Sequence, residues 1–261
     1  MESVDSSLCM VRVVVITPTY NEAETISDHI RNVLSSLSSA GIDGHVLIVD
    51  DNSPDGTAGV VSRIASELSN VTLILRPSRM GLGSAYISGF RYVLENMSNI
   101  EVVVEMDADG SHDPQALPQL INPVLRGEFD VVVGSRYVGF GRWSGETRGR
   151  EIISRGANLL ARICTGVKIK DLTSGYRAIS TRILRLVIDA LKEASKGYTF
   201  QVESLAEYAR ICARIGEVPI IFLPRRKGKS KLRPSEILYF FVWNIKHLFM
   251  RRIPRILRIK T

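Results

Sequence analysis

VVVEMDADGSHDP, residues 102–114, decides the fold. A short valine-rich run ends abruptly in two aspartates, Asp107 and Asp109, with Ser111, His112 and Asp113 just beyond. Apolar residues at consecutive positions mark a strand buried on both faces, as in the sheet of an α/β protein. Side chains alternate along an extended backbone, so Asp107 and Asp109 share one side while Ala108 points to the other. A turn explains one aspartate. A cation with its phosphate ligand explains the pair.

The same strand grammar repeats on either side. VRVVVITPTYN reads as a strand ending near Thr17, then come HVLIVDDNS, NVTLILRP, the 102–114 strand and FDVVVGSR. Helical patterns separate them: EAETISDHIRNVLSSL, TAGVVSRIASELS, GSAYISGFRYVLENM and PQALPQLINPVLRG. Alternating units of this kind predict a Rossmann-like, mostly parallel sheet sandwiched by helices. Such sheets bind ligands beyond the carboxyl ends of their strands. The unusual polar residues gather there: Thr17 to Glu22, Asp50 to Ser53, Asp107 to Asp109, and Ser135-Arg136. Strand ends also use Asp, Asn and Ser as turn formers and helix caps, but four such ends together favour one polar crevice.

Beyond Arg136 lies a glycine-rich, aromatic-bearing loop to residue 149, expected to cross that crevice. Helices are expected from Arg150 to Thr165, Thr181 to about Glu193, and Phe200 to about Ile215. GEVPIIFLP reads as a short strand, and a final helix opens at Pro234. The expected organisation is a flexible N-terminus (1–10), a catalytic domain (11–233) and a basic, amphipathic C-terminal segment (234–261).

Charge follows this division. From Pro224 to Thr261 there are twelve Lys and Arg against Glu236 alone, in a chain of 261 residues whose net charge is only +7. The tail is the basic part, and it suits phosphate or an anionic membrane face. An acidic crevice argues against nucleic acid as the partner. Cys9, Cys164 and Cys212 are scattered and odd in number, which predicts no disulfide framework. MESVDSSLCM lacks the pattern of a signal peptide, and no apolar run is long enough for an ordinary span.

Among candidate groups, Asp51 is favoured as a nucleoside-binding acid, with Asp50 serving the turn. The first turn, TPTYNEAE, has no glycine, which excludes the usual dinucleotide fingerprint, and no P-loop is present. Arg136 ends a buried strand and suits a diphosphate, as an arginine fork matches phosphate oxygens. Arg150, Arg225 and Lys231 are further cations in suitable segments. His112 reads either as a base or as a local cap.

The chain resembles the dolichyl-phosphate mannose synthases among inverting nucleotide-sugar glycosyltransferases with a GT-A-type fold. The resemblance rests on VVITPTYNEAETI, VLIVDDNSPDGT, MGLGSAYISGF, MDADGSHDP, VVGSRYV, IISRGAN, LTSGYRAI, SKGYTFQVE and GEVPIIFLPRRKGKSKL, in order from residue 13 to about 232. It implies that Pro18, Tyr20, Glu22, Val49 and Asp51 line a nucleoside pocket. It implies a Mg²⁺ or Mn²⁺ ion on Asp107 and Asp109, backbone contact at Ala108, and Ser111 at the place of a third metal contact. Arg136 would reach the sugar diphosphate, Arg150 and Arg225 the acceptor phosphate, and Lys231, at the family's S-K-L end, would be a further binding residue. Arg226-Lys227 departs from the family pattern, where an apolar residue and an aromatic are common.

The implied reaction moves mannose from GDP-mannose to dolichyl or another polyprenyl phosphate with inversion. A related lipid-phosphate transferase using UDP-glucose is the alternative. The acceptor lives in a bilayer, so the resemblance implies a peripheral or monotopic protein on the cytoplasmic face of a membrane, with a separate membrane subunit as a further possible partner. ILYFFVWNI (237–245), with Tyr239 and Trp243 ahead of a basic run, reads as an interfacial anchor.

Overall fold

The computed structural model describes residues 12–145, 148–191, 197–225 and 234–252. The strands form where β-branched residues cluster, because their stiff side chains pack well on a pleated surface. β1 (Val13–Thr19), β2 (Gly44–Asp50), β3 (Val71–Leu75), β4 (Val102–Glu105) and β5 (Val131–Ser135) are the five expected strands. β6 (Arg142–Trp143), β7 (Arg177–Ser180), β8 (Ile215–Pro219) and β9 (Ile221–Phe222) follow. The helices are α1 (Ile26–Ser39), α2 (Thr57–Glu67), α3 (Leu82–Asn96), α4 (Leu117–Leu125), α5 (Arg148–Thr165), α6 (Thr181–Leu191), α7 (Phe200–Arg210) and α8 (Pro234–Arg252).

Seven strands make one sheet in the order β3-β2-β1-β4-β7-β5-β8. All neighbours run parallel except β7, which is antiparallel to both β4 and β5. β6 and β9 form a separate parallel pair. Consecutive strand residues enter opposite cores: Val14 and Ile16 face one layer, Val13 and Val15 the other. Tyr86 and Phe90 of α3 with Phe200 and Leu205 of α7 fill the first layer, and α1, α2 and α4 cover the second. This two-sided burial is why the strands read as apolar runs rather than as alternating patterns.

Two expectations shift. α7 ends at Arg210 rather than near Ile215, since Cys212 takes a left-handed backbone (φ 59°) and Ile215 already belongs to β8. The expected strand GEVPIIFLP divides: β8 joins the main sheet, whereas β9 leaves it to pair with β6. α8 packs along α5.

Candidate active site

β1 has β2 on one side and β4 on the other, so the chain connections leave it in opposite directions. A crevice opens at such a switch point, outside the carboxyl ends of the strands. Here it is a cavity of about 620 Å³. Pro18, Thr19, Tyr20 and Glu22 line it from the end of β1, Asp51 from the end of β2, and Asp107, Ala108 and Asp109 from the end of β4. The far wall comes from Gly197, Tyr198 and Thr199, from Arg225, and from Ser235, Glu236 and Tyr239 of α8.

Each strand end is shaped by local hydrogen bonds. Asp50 is consumed by its turn: it accepts from Thr19 Oγ1 (2.7 Å), Ser53 Oγ (2.6 Å) and the Ser53 amide (2.8 Å). Asp51 accepts from Arg76 Nε at 2.6 Å and from the amides of Met80 (3.1 Å) and Gly81 (3.3 Å). Gly81 has φ 94°, a conformation that costs glycine little and lets its amide turn toward that carboxylate. Arg79 stacks over the Tyr20 ring at 4.5 Å. Arg76 and Arg79 were not singled out in the sequence. The one signal for Arg76 is an arginine at the end of an apolar strand, where a buried cation needs a partner.

Past β4, Gly110 (φ 79°) turns the chain and the Ser111 amide donates to Asp109 Oδ1 at 2.9 Å. Arg225 Nε meets Asp109 Oδ2 at 3.1 Å. Tyr86, fully buried in α3, donates its hydroxyl to Asp107 Oδ1 at 3.3 Å. Burial and the neighbouring Asp109 push the Asp107 carboxyl up to about 7, with Arg225 and the Tyr86 hydrogen bond opposing the shift. Burial lowers the ordinary His112 value to about 4, so this ring is neutral near pH 7.

A divalent cation fits this donor set. Two hard carboxylates open on one cavity, and burial first, then the charge of Asp109, raises the Asp107 carboxyl, an arrangement a dication would relieve. Among the described residues no cluster of three His, Cys, Asp or Glu side chains is arranged to hold a metal ion. The remaining ligands would therefore be substrate phosphate oxygens and water, as is common for Mg²⁺.

Several expected residues lie elsewhere. Val49 is wholly buried in the apolar layer with Ile16 and Phe90 and off the cavity lining, because its position on β2 points it into the sheet's core. Ser111 is fully buried and off the lining; its amide, not its hydroxyl, serves the site. Arg150 is exposed on the first turn of α5, also off the lining. Lys231 and Arg226-Lys227 lie outside the described residues, as does the 1–10 segment.

Arg136 is engaged elsewhere in the fold. Its guanidinium donates to Asp171 Oδ2 at 2.8 Å and Oδ1 at 2.7 Å, and to Thr173 Oγ1 at 2.8 Å. The Trp143 ring lies 4.4 Å away and Phe222 5.3 Å away. The side chain is buried and does not line the cavity. Insertion of β7 between β4 and β5 explains this, since it moves the end of β5 two strand spacings, about 10 Å, from β4.

The family model for glycosyl transferase family 2 matches residues 14–187, most of this sheet and both carboxylates. The chain belongs to that family. This family 2 chain is 43% identical over 223 residues to the undecaprenyl-phosphate mannosyltransferase of Micrococcus luteus, covering 85% of this chain and 88% of that protein. It is 39% identical over 227 residues to the polyprenol monophosphomannose synthase of Mycolicibacterium smegmatis, covering 87% and 83%. Among solved structures, the glucosyl-3-phosphoglycerate synthase of Mycobacterium tuberculosis in complex with Mn²⁺ and UDP-glucose matches with a TM-score of 0.62. That likeness spans 93% of this chain and 80% of the other at 22% identity, and it establishes the shared GT-A-like fold.

Proposed function

We propose that this protein makes polyprenyl-phosphate mannose, transferring mannose from GDP-mannose to the phosphate of a polyprenyl lipid with inversion. The observation that carries the reading is Asp107 and Asp109 meeting Arg225 in one cavity, in a chain about 40% identical to two polyprenyl-phosphate mannosyltransferases. Tyr20, Glu22, Asp51 and Arg79 would receive the nucleoside end. Asp107 and Asp109 would hold Mg²⁺ or Mn²⁺, which supplies charge neutralisation for the departing diphosphate.

The acceptor phosphate is largely ionised near neutral pH, so its oxygen needs no strong general base. That oxygen attacks the anomeric carbon from the side opposite the diphosphate. A bond forms to the lipid phosphate as the carbon–oxygen bond to GDP breaks, and the electron pair leaves on GDP. Arg225, 3.1 Å from Asp109, stands where it would draw the acceptor phosphate toward the donor and offset repulsion between two anions.

The lipid requires a membrane surface. α5 exposes Ile152, Leu159 and Ile163, spaced so that they share a face, and α8 packed against it exposes Leu238, Val242, Ile245 and Phe249 in a second stripe. No helix among the described residues is long and apolar enough to cross a membrane. Trp243 turns inward against the core rather than outward as the anchor reading expected. The exposed stripes and the cationic tail together suit peripheral docking on anionic lipid.

The test incubates the protein with polyprenyl phosphate in vesicles and labelled GDP-mannose or UDP-glucose, with Mg²⁺, Mn²⁺ or EDTA. Label should enter the lipid from GDP-mannose and stop with EDTA. Transfer from UDP-glucose alone would refute the donor, and transfer in EDTA would refute the metal. Replacing Leu238 and Phe249 by serine should shift the protein from sedimenting vesicles to the supernatant; unchanged sedimentation removes the α8 docking face.

A further inference from the structure

His112 remains without a part in the reaction, yet its contacts are unusually specific. The Asp107 amide donates to His112 Nδ1 at 3.1 Å, so this nitrogen carries a lone pair and not a proton. The ring stacks on Tyr176 with centroids 4.7 Å apart and an interplanar angle of 13°. Phe222 meets it edge-on at 5.7 Å, and the backbones of His112 and Phe222 form an isolated bridge. Around it, Tyr176 donates its hydroxyl to the Asp113 carbonyl at 3.0 Å, and the Leu223 amide donates to the Ser111 carbonyl at 3.0 Å. Two residues beyond Leu223 stands Arg225, against Asp109.

We propose that His112 is a positioning residue, whose Nδ1 fixes the Asp107 backbone while its ring clamps the carboxylate turn to Tyr176 and Phe222. The imidazole is nearly inaccessible, 2% exposed, and does not line the cavity, so it acts through Asp107 rather than on substrate. The clamp joins the turn bearing Asp107 and Asp109 to the strand that leads into Arg225. It thereby sets the spacing between the donor's carboxylates and the acceptor's arginine. The acceptor atom comes from a side chain folding back five residues onto the Asp107 amide. This inference rests on reading Asp107 and Asp109 as the ion–diphosphate carboxylates.

Two substitutions separate the roles. His112→Phe keeps the aromatic clamp and removes the acceptor; His112→Asn keeps an acceptor in nearly the same place. The full chain is titrated with GDP in Mn²⁺ and again in EDTA by calorimetry, with a thermal melt of each variant. His112→Phe should weaken the Mn²⁺-dependent binding about tenfold, the range seen when groups supporting metal ligands are removed, while His112→Asn, which gives up the ring stack but keeps the acceptor, weakens it about threefold at most. Binding in EDTA should not change in either. Wild-type affinity in His112→Phe, or equal weakening in both variants, overturns the proposal. If His112→Phe does not fold, His112→Asn decides by itself: weakening of about threefold or less supports the amide contact and about tenfold weakening overturns it. Asp109→Asn is the control for the underlying reading. If it retains Mn²⁺-dependent binding, the carboxylate assignment fails and takes this inference with it; if it alone loses binding, only the role of His112 fails.

Discussion

Two arginine–carboxylate pairs stand beyond the ends of β4 and β5 and behave oppositely. Arg136 and Asp171 form a two-pronged, buried pair, completed by Thr173 and by the faces of Trp143 and Phe222. Arg225 and Asp109 touch through one nitrogen at 3.1 Å on the wall of a cavity, with Arg225 27% exposed. The first pair has its valences filled from within and holds a loop in place. The second has capacity left over, which is what a ligand needs. A buried, saturated ion pair is chiefly an obstacle to being taken apart.

Breaking the saturated pair should hurt the fold most. Asp171→Ala leaves Arg136 buried without its counter-charge, a loss of about 3–5 kcal/mol, measurable as a lower denaturant midpoint at unchanged slope. A wild-type midpoint would erase the contrast between the two pairs. Asp109→Ala should do the reverse: mannosyl transfer falls by about two to three orders of magnitude, the cost of removing one preorganised charge-stabilising group, while the melt stays close to wild type. Arg225→Lys keeps the charge and loses the fork, so the KM for polyprenyl phosphate should rise about tenfold with a smaller change in kcat. An unchanged KM would detach Arg225 from the acceptor.

The smallest effect is in the pH dependence. Burial raises the Asp171 carboxyl, but the Arg136 charge and hydrogen bonds outweigh it and hold the group below its ordinary value. Its contribution to stability is therefore complete above the usual carboxylate range and fades as pH falls through the depressed value. Asp171→Asn lacks this titration. The stability gap between wild type and Asp171→Asn should narrow on acidification, and a gap constant with pH would contradict the assignment.

Much of this was readable beforehand. Valine and isoleucine runs separated by helical patterns announced five strands, and the DAD triplet announced the two carboxylates that line the cavity. The residues whose surroundings the sequence left open share one cause. Arg136 was judged by its place after a buried strand, which does require a partner, but that partner is Asp171, thirty-five positions away. Tyr86, Arg76 and Tyr198 likewise reach the site's carboxylates or Arg225 only after distant segments pack. Val49 and Ser111 sit in the right motifs with side chains aimed elsewhere.

The sequence by itself determined the layers of this protein, because burial on both faces leaves its mark on every strand regardless of order. It also placed the candidate residues at β1, β2 and β4, where they are continuous with their strands. Only the tertiary structure decided which strand ends share a crevice. That depended on β7, a four-residue antiparallel strand with little periodicity of its own, entering between β4 and β5. Its place is fixed by pairing with two strands far away in sequence, and non-local pairing leaves no local pattern to read.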